Sequence, residues 1–196
     1  MKRSVAHSLL GILSLRAMSG YDIRKFVKEN IGYFWKESYG QIYPMLKRMA
    51  AEDLVDVRVE RKSGKPDRQV YSLTRTGHSE LERWLGRPPV PPSPRNELLL
   101  KLFFGRLAKS QDMVRHVKEF RRHHEGLLQQ YSRVEKWLNR EHANHPGLPY
   151  WLMTLDYGKR YSRMALAWSE TTLPALERAD KRREGPTPKQ EGGKRP

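Results

Sequence analysis

The chain has 196 residues, no cysteine, a formal net charge of +16 and a pI of about 10.2. Without thiols it can form no disulfide, zinc ribbon or cysteine nucleophile, which is compatible with a reducing cytoplasm. The basic excess points to a polyanionic partner, nucleic acid before a membrane surface, against the blander reading of a chain kept soluble by charge. It is spread over the chain, net +6 over residues 1–86, +6 over 87–177 and +4 over 178–196, so charge alone does not locate a binding surface.

The opening stretch, MKRSVAHSLLGILSLRAMSGYD, superficially resembles a signal peptide. Val5, Leu9, Ile12 and Leu13 nevertheless share one helical face and run on into a charged helical pattern, which predicts a first folded helix. No segment approaches the ~20 apolar residues of a membrane span. Ser19-Gly20 breaks the pattern, Ile23, Phe26 and Val27 begin a second helix, and Ser38 is a suitable N-cap for a third.

The third helix, SYGQIYPMLKRMA, carries a contradiction. Ile42, Met45, Leu46 and Met49 keep the spacing of a buried face, yet Pro44 stands among them, where proline costs ~3 kcal/mol. At 100° per residue Gly40, Pro44 and Lys47 fall on the outward face. Gly40 supplies the carbonyl that the proline ring crowds, and glycine adjusts its backbone most easily. Two slim residues there would let the backbone approach a groove or a phosphate closely.

After Leu54 the period changes to two, with Val55, Val57 and Val59 alternating against Asp56, Arg58 and Glu60, which predicts a half-buried strand. SGKPDR is a turn, QVYSLT the returning strand, and Thr76 a cap for a short fourth helix through Leu81, Trp84 and Leu85. Three helices followed by a basic-tipped hairpin is the order of a winged helix. Its third helix enters the DNA major groove, and hairpin cations Arg61, Lys62, Lys65 and Arg68, opposed only by Asp67, suit phosphate. The alternative for the hairpin is a solvated loop.

RPPVPPSP, residues 87–94, predicts a stiff extended connector, with Ser93 capping and Pro94 opening the next helix. That helix, ELLLKLFFGRL, is apolar on nearly every side and so buried between domains or subunits. Ser110 caps a longer helix to about Glu141. Along this helix, ~45 Å long, Met113, Val117, Phe120, His124, Leu127, Tyr131, Val134 and Leu138 form a heptad seam that needs a partner helix, in this chain or another. After NHPGLPYW a last helix carries Trp151, Leu152, Leu155, Tyr161, Met164, Leu166, Trp168 and Leu176. The second half reads as an antiparallel helical pair docking on a symmetry mate, with a monomeric bundle as the alternative. Leu99, Phe103, Val117, Phe120, Leu127, Tyr131, Trp151, Leu155 and Trp168 are its expected contacts. The remaining basic stretch has no apolar periodicity and reads as a disordered tail. The expected boundaries are a DNA-binding domain at 1–86, a connector at 87–94, a dimerisation domain at 95–177 and a tail at 178–196.

Other chemistry is weaker. His116, Glu119 and His123 share a helix face but lack a fourth ligand, so no metal is expected. His124 interrupts the seam as a polar, register-setting or pH-sensitive residue. Trp137, Trp151 and Trp168 with Tyr150 and Tyr157 line either an aromatic effector pocket or a packed core. No nucleophile–base set, phosphate loop or dinucleotide fingerprint is present, so neither an enzyme nor a cofactor is expected.

SYGQIYPMLKRMAAEDLV resembles the third-helix signature of the PadR-like transcriptional regulators, SGYDIRKF their second helix, and DRQVYSLTRTGHSEL their returning wing strand and following helix. LLLKLFFGRL and YGKRYSRMALAWSETTLPAL resemble the helical dimerisation region of the longer, AphA-type subfamily. The resemblance spans residues 5 to about 177. It implies a homodimeric winged-helix regulator, most often a repressor, with DNA contacts on Ser38, Tyr39, Gln41 and Tyr43 and on wing residues Lys65 and Arg68. Gly40, Pro44, Lys47, Lys62 and Tyr71 complete the expected DNA-facing set. Some relatives sense aromatic compounds, but no ligand motif transfers residue by residue. Asp53 stands where the family usually has glycine at the end of the third helix, and Asp tolerates left-handed geometry better than most residues.

The expected fold is mainly α with a small β-hairpin, an N-terminal winged helix-turn-helix followed by a C-terminal antiparallel helical dimerisation domain. The expected function is a cytoplasmic, sequence-specific double-stranded DNA-binding regulator acting as a homodimer on a pseudo-palindromic operator, with relief by an aromatic effector as an option. The alternatives are a winged-helix protein-interaction module and a non-specific nucleic-acid binder.

Overall fold

In the computed structural model the described residues are 2–32, 34–35, 39–61, 67–91 and 95–183. The chain divides into two compact units, Met1–Pro92 and Ser93–Pro196. Among the described residues no helix is long and apolar enough to cross a membrane.

The N-terminal unit runs α1 (Lys2–Leu13), β1 (Met18–Ser19), α2 (Gly20–Phe26), a π turn (Val27–Ile31), α3 (Tyr39–Ala51), β2 (Val55–Glu60), β3 (Arg68–Leu73) and α4 (Arg75–Leu85). The strands form one antiparallel sheet in the order β1-β3-β2, with Met18 opposite Tyr71 and Val55 to Glu60 opposite Leu73 to Arg68. Leu9, Leu10, Met18, Ile23, Ile42, Leu46 and Met49 are fully buried in its core. Each such side chain contributes about 1.5–3 kcal/mol relative to remaining exposed.

Local chemistry fixes the ends of these elements. Ser19 caps α2 in a capping box: its hydroxyl accepts from the Asp22 N–H at 3.3 Å while its own N–H donates to the Asp22 carboxylate at 3.0 Å. The third helix ends in a Schellman motif. Leu54 N–H donates to Met49 carbonyl at 2.9 Å, Asp53 N–H to Ala50 carbonyl at 3.3 Å, and Asp53 takes φ +56°. Asp53 therefore occupies the left-handed position that its place in the sequence suggested. The α4 cap is Thr74 rather than Thr76: Thr74 Oγ1 accepts from Gly77 N–H at 2.9 Å and donates to Asp53 carbonyl at 2.7 Å. Of the alternating valines in β2 only Val55 is buried, and Val57 and Val59 are exposed on this strand at the edge of the sheet.

The C-terminal unit runs α5 (Glu97–Phe103), a 3-10 turn (Gly105–Leu107), α6 (Ser110–Glu141) and α7 (Leu148–Arg183). Asn96, not Ser93, caps α5 by accepting from Leu99 N–H at 3.2 Å, and Ser93 and Pro94 lie outside the described residues. Lys109 occupies the α6 N-cap position without a side-chain cap, and Ser110 is the first helical residue. The pair α6 and α7 is antiparallel: His124 meets Ser162, Glu135 meets Lys159, and Phe120 meets Trp168.

The heptad seam of α6 is covered inside the chain. Met113, Val117, His124, Tyr131 and Leu138 are buried against α7, and Phe120, Leu127 and Val134 partly so. The facing positions of α7 are mostly small: Leu155, Gly158, Ser162, Ala165 and Ser169. A Cβ on Gly158 would come within 2.9 Å of Tyr131 Cζ, so only glycine leaves room for the buried tyrosine ring. The polar groups in the seam are paired, His124 Nδ1 with Ser162 Oγ at 3.1 Å and Ser169 hydroxyl donating to Ala165 carbonyl at 2.8 Å.

Candidate nucleic-acid interface

The third helix runs unbroken through Pro44. Ile42, Leu46 and Met49 are buried and Met45 partly so, while Gly40, Gln41, Tyr43, Pro44 and Lys47 are exposed. Pro44 has no N–H to offer the Gly40 carbonyl four residues back. That carbonyl belongs to the exposed face, where water or a ligand donor can reach it. Tyr39 opens the helix, and Ser38 lies outside the described residues.

Tyr43 is held from behind. A Cβ built on Gly20 would come 2.5 Å from Tyr43 Cε1, so the ring rests on the bare backbone at the start of α2. It remains half exposed there. Behind it Tyr71 is buried, its hydroxyl donating to Gln69 Oε1 at 2.9 Å. Burial raises the Tyr71 phenol above its ordinary range, and the neighbouring Tyr43 adds to the shift. Tyr71 was expected on the DNA-facing set. The structure corrects this: the side chain points into the core, opposite Met18 across the sheet, and supports the wing from inside.

On the wing, Lys62 and Lys65 lie outside the described residues. Arg61 and Asp67 flank the tip as an exposed pair at 3.7 Å, a contact of little net worth in water. Arg68 is not a free cation: its guanidinium donates to the Asp22 carboxylate at the start of α2. Burial opposes ionisation of Asp22, but the Ser19 backbone and hydroxyl bonds and the Arg68 charge outweigh it, and its carboxyl sits below the usual range.

The expected dimer contacts separate into three groups. Val117, Tyr131 and Leu155 are buried in the chain's own α6–α7 seam and are unavailable to a second subunit, which corrects that expectation. Phe120 and Trp168 are partly buried against each other, edge to face at 5.6 Å, and Leu127 and Trp151 are also partly buried. Leu99 and Phe103 are exposed, Phe103 by 83%. They are joined on α5 and the following turn by Leu100, Phe104 and Leu107, and on α7 by Tyr150, Met153, Tyr157, Tyr161 and Met164, all exposed. The α7 residues recur every three or four positions and so form a second apolar stripe, turned away from the seam. Their spacing is visible in the sequence, but spacing alone does not say which face of α7 is buried.

The five aromatics weighed as a pocket do not converge. Trp137 and Trp151 pack around His142 and His145 at the α6–α7 turn, whereas Trp168 packs on Phe120 farther along. Among the described residues no group of three or more His, Cys, Asp or Glu is placed to hold a metal ion.

Residues 9–83 match the transcriptional regulator PadR-like family and residues 94–177 the virulence activator alpha C-term family. The negative transcriptional regulator PadR of Bacillus subtilis is 37% identical over 103 residues, 52% of this chain and 57% of that protein. The chain spans about half the length of the curated relatives it matches. The crystal structure of Bacillus subtilis PadR with operator DNA superposes with a TM-score of 0.78 at 27% identity, covering 89% of this chain and 98% of that one. The same protein with p-coumaric acid gives 0.69 at 26%, covering 88% and 98%. The Vibrio cholerae virulence activator AphA gives 0.70 at 27%, covering 89% and 99%.

Proposed function

The chain belongs to the PadR-like transcriptional regulators, with the C-terminal helical region of the virulence activators, and from that premise we propose that it is a sequence-specific double-stranded DNA-binding regulator acting as a homodimer. The observation that carries this reading is the exposed face of α3, where Gly40, Gln41, Tyr43, Pro44 and Lys47 stand together opposite a fully apolar buried face. A groove-reading helix needs such a face: short side chains for close approach, hydrogen-bonding groups for base edges, and a cation for phosphate. Ser38 and Tyr39 at the head of the helix and Lys62 and Lys65 on the wing extend the contact set.

The second unit supplies the dimer. The apolar stripe of α7 and the exposed apolar residues of α5 form the self-complementary surface, and a two-fold dimer reads a pseudo-palindromic operator. Repression is the sign we assign, since the Bacillus subtilis relative is a negative regulator. An aromatic effector is a second part of the reading, supported by the p-coumaric acid complex of that relative. The functional divisions follow as residues 1–86 for DNA, 87–94 as connector, 95–177 for dimerisation and 178–196 as a basic tail.

The test is selection of duplexes from a random pool by the full chain, followed by gel shifts at several salt concentrations. The expected result is one two-fold motif that survives competitor DNA, with affinity falling steeply as salt rises. Loss of selectivity on Gln41→Ala ties it to α3. Binding indifferent to sequence and salt would overturn the reading in favour of a protein-interaction module.

A further inference from the structure

We propose that Asp22 is a positioning residue for the wing: its carboxylate ties Arg68 to the start of α2, so that Arg68 serves as a strut of the hairpin rather than as a phosphate contact. The consequence for DNA rests on the reading above, while the tie itself does not.

Asp22 is the third residue of α2 and the acidic member of its capping box. One oxygen, Oδ2, accepts from Ser19 N–H at 3.0 Å, from Ser19 hydroxyl at 2.9 Å and from the Arg68 guanidinium. The cap fixes the carboxylate before the arginine arrives, so little side-chain freedom remains to be lost on its side of the ion pair. Arg68 sits where the β2–β3 ladder ends, opposite Glu60, and the tip of the wing lies beyond it. Two residues farther along β3, Val70 pairs with Ser19 itself. The Ser19–Asp22 turn therefore grips β3 twice, by strand pairing opposite Val70 and by charge at Arg68. Between those two grips Gly20 supports the Tyr43 ring. One turn of four residues thus sets the angle of the hairpin and the pose of an α3 side chain.

The electrostatics separate a strut from a contact. A cation that reaches a phosphate releases condensed counterions and steepens the salt dependence of binding. An arginine already neutralised by a fixed carboxylate adds almost nothing to that slope. Asp22→Asn would unmake the strut and leave a free cation at the mouth of the wing.

The experiment compares the full-length parent with Asp22→Asn, Asp22→Glu, Arg68→Ala and the double variant Asp22→Asn/Arg68→Ala. Amide hydrogen exchange over residues 55–73 is read without DNA, and gel shifts on a random-sequence 30-bp duplex and on the parent's selected site are read against salt. Expected are exchange at least about tenfold faster in β2 and β3 for Asp22→Asn and for Arg68→Ala, no further loss in the double variant, and recovery in Asp22→Glu. Arg68→Ala should weaken operator binding without changing its salt slope. Unchanged exchange in Asp22→Asn overturns the tie, and so does additive loss in the double variant. A salt slope reduced by about one in Arg68→Ala restores Arg68 as a phosphate contact. Exchange altered as expected in a chain that binds neither duplex would leave the tie standing and remove the DNA reading instead.

Discussion

In the N-terminal unit the fully buried side chains are large, Leu9, Leu10, Ile23, Ile42, Leu46 and Met49, and the face left to solvent on α3 is slim and polar. Along α7 the arrangement is reversed: Gly158, Ser162, Ala165 and Ser169 face the seam, and Tyr150, Met153, Tyr157, Tyr161 and Met164 stand outside. The first unit is closed in its interior: its fully buried positions are filled by large apolar residues, and its exposed ones, such as Tyr21, Leu85 and Val90, are scattered over different segments. The second has used its small residues to bring two long helices close together, and it retains a stripe of large ones. A reader of a charged, hydrated groove needs the first arrangement; an element that must meet another protein surface needs the second.

The largest effect should come from breaking the closed unit. Leu46→Ala removes a fully buried side chain and should cost that unit about 2–5 kcal/mol, measured by urea unfolding. The matching change on the open unit should leave stability nearly unmoved and act on association. Met153→Glu with Tyr157→Glu places two charges on the exposed stripe and should weaken self-association at least about tenfold, or ~1.4 kcal/mol, by sedimentation equilibrium. Equal loss of folding stability in both cases would erase the contrast between the units.

A smaller effect, confined to a pH window, should mark the α6–α7 seam. Burial holds the His124 imidazole below its ordinary range, with the neighbouring charge of His123 adding to the shift. The folded state therefore binds a proton less readily than the unfolded one. The stability contribution is complete above the unfolded value near 6.5 and is lost as pH falls through the lowered folded value. Thermal unfolding between pH 8 and pH 5 should show this decline, and His124→Asn should flatten it. The smallest effect should be a gain: Asp53→Gly relieves a non-glycine residue at φ +56° and should stabilise the N-terminal unit by about 0.5–1 kcal/mol in urea unfolding.

Much of this was legible in the sequence because it is written in period. The heptad of α6 gave its length and its buried positions, and the 3.6-residue spacing around Pro44 identified the buried face of α3 correctly despite the proline. The buried face of α7 was not legible for a physical reason. Hydrophobicity ranks Tyr157 and Met164 above Gly158 and Ser162, so pattern reading assigns the large residues inward, whereas close helix approach rewards the small ones. Tyr71 misled in the same way, as an amphipathic residue in a wing strand whose ring is needed inside. The Asp22–Arg68 tie joins residues 46 positions apart and leaves no local trace. The two residues of β1 are too few to show a period at all.

Those two residues have a consequence for the order in which the protein is made. Met18 and Ser19 can pair only with Tyr71 and Val70, so the first strand of the sheet waits for more than fifty further residues to be synthesised. At ~5–20 residues per second that delay lasts several seconds, during which α1 and α2 exist without the strand that anchors them. The heptad pair α6–α7 is built from neighbours in the chain and is still later in synthesis. A nascent chain therefore completes its N-terminal unit before the apolar stripe of α7 is made, and the surface most prone to premature association emerges only after the first unit can fold.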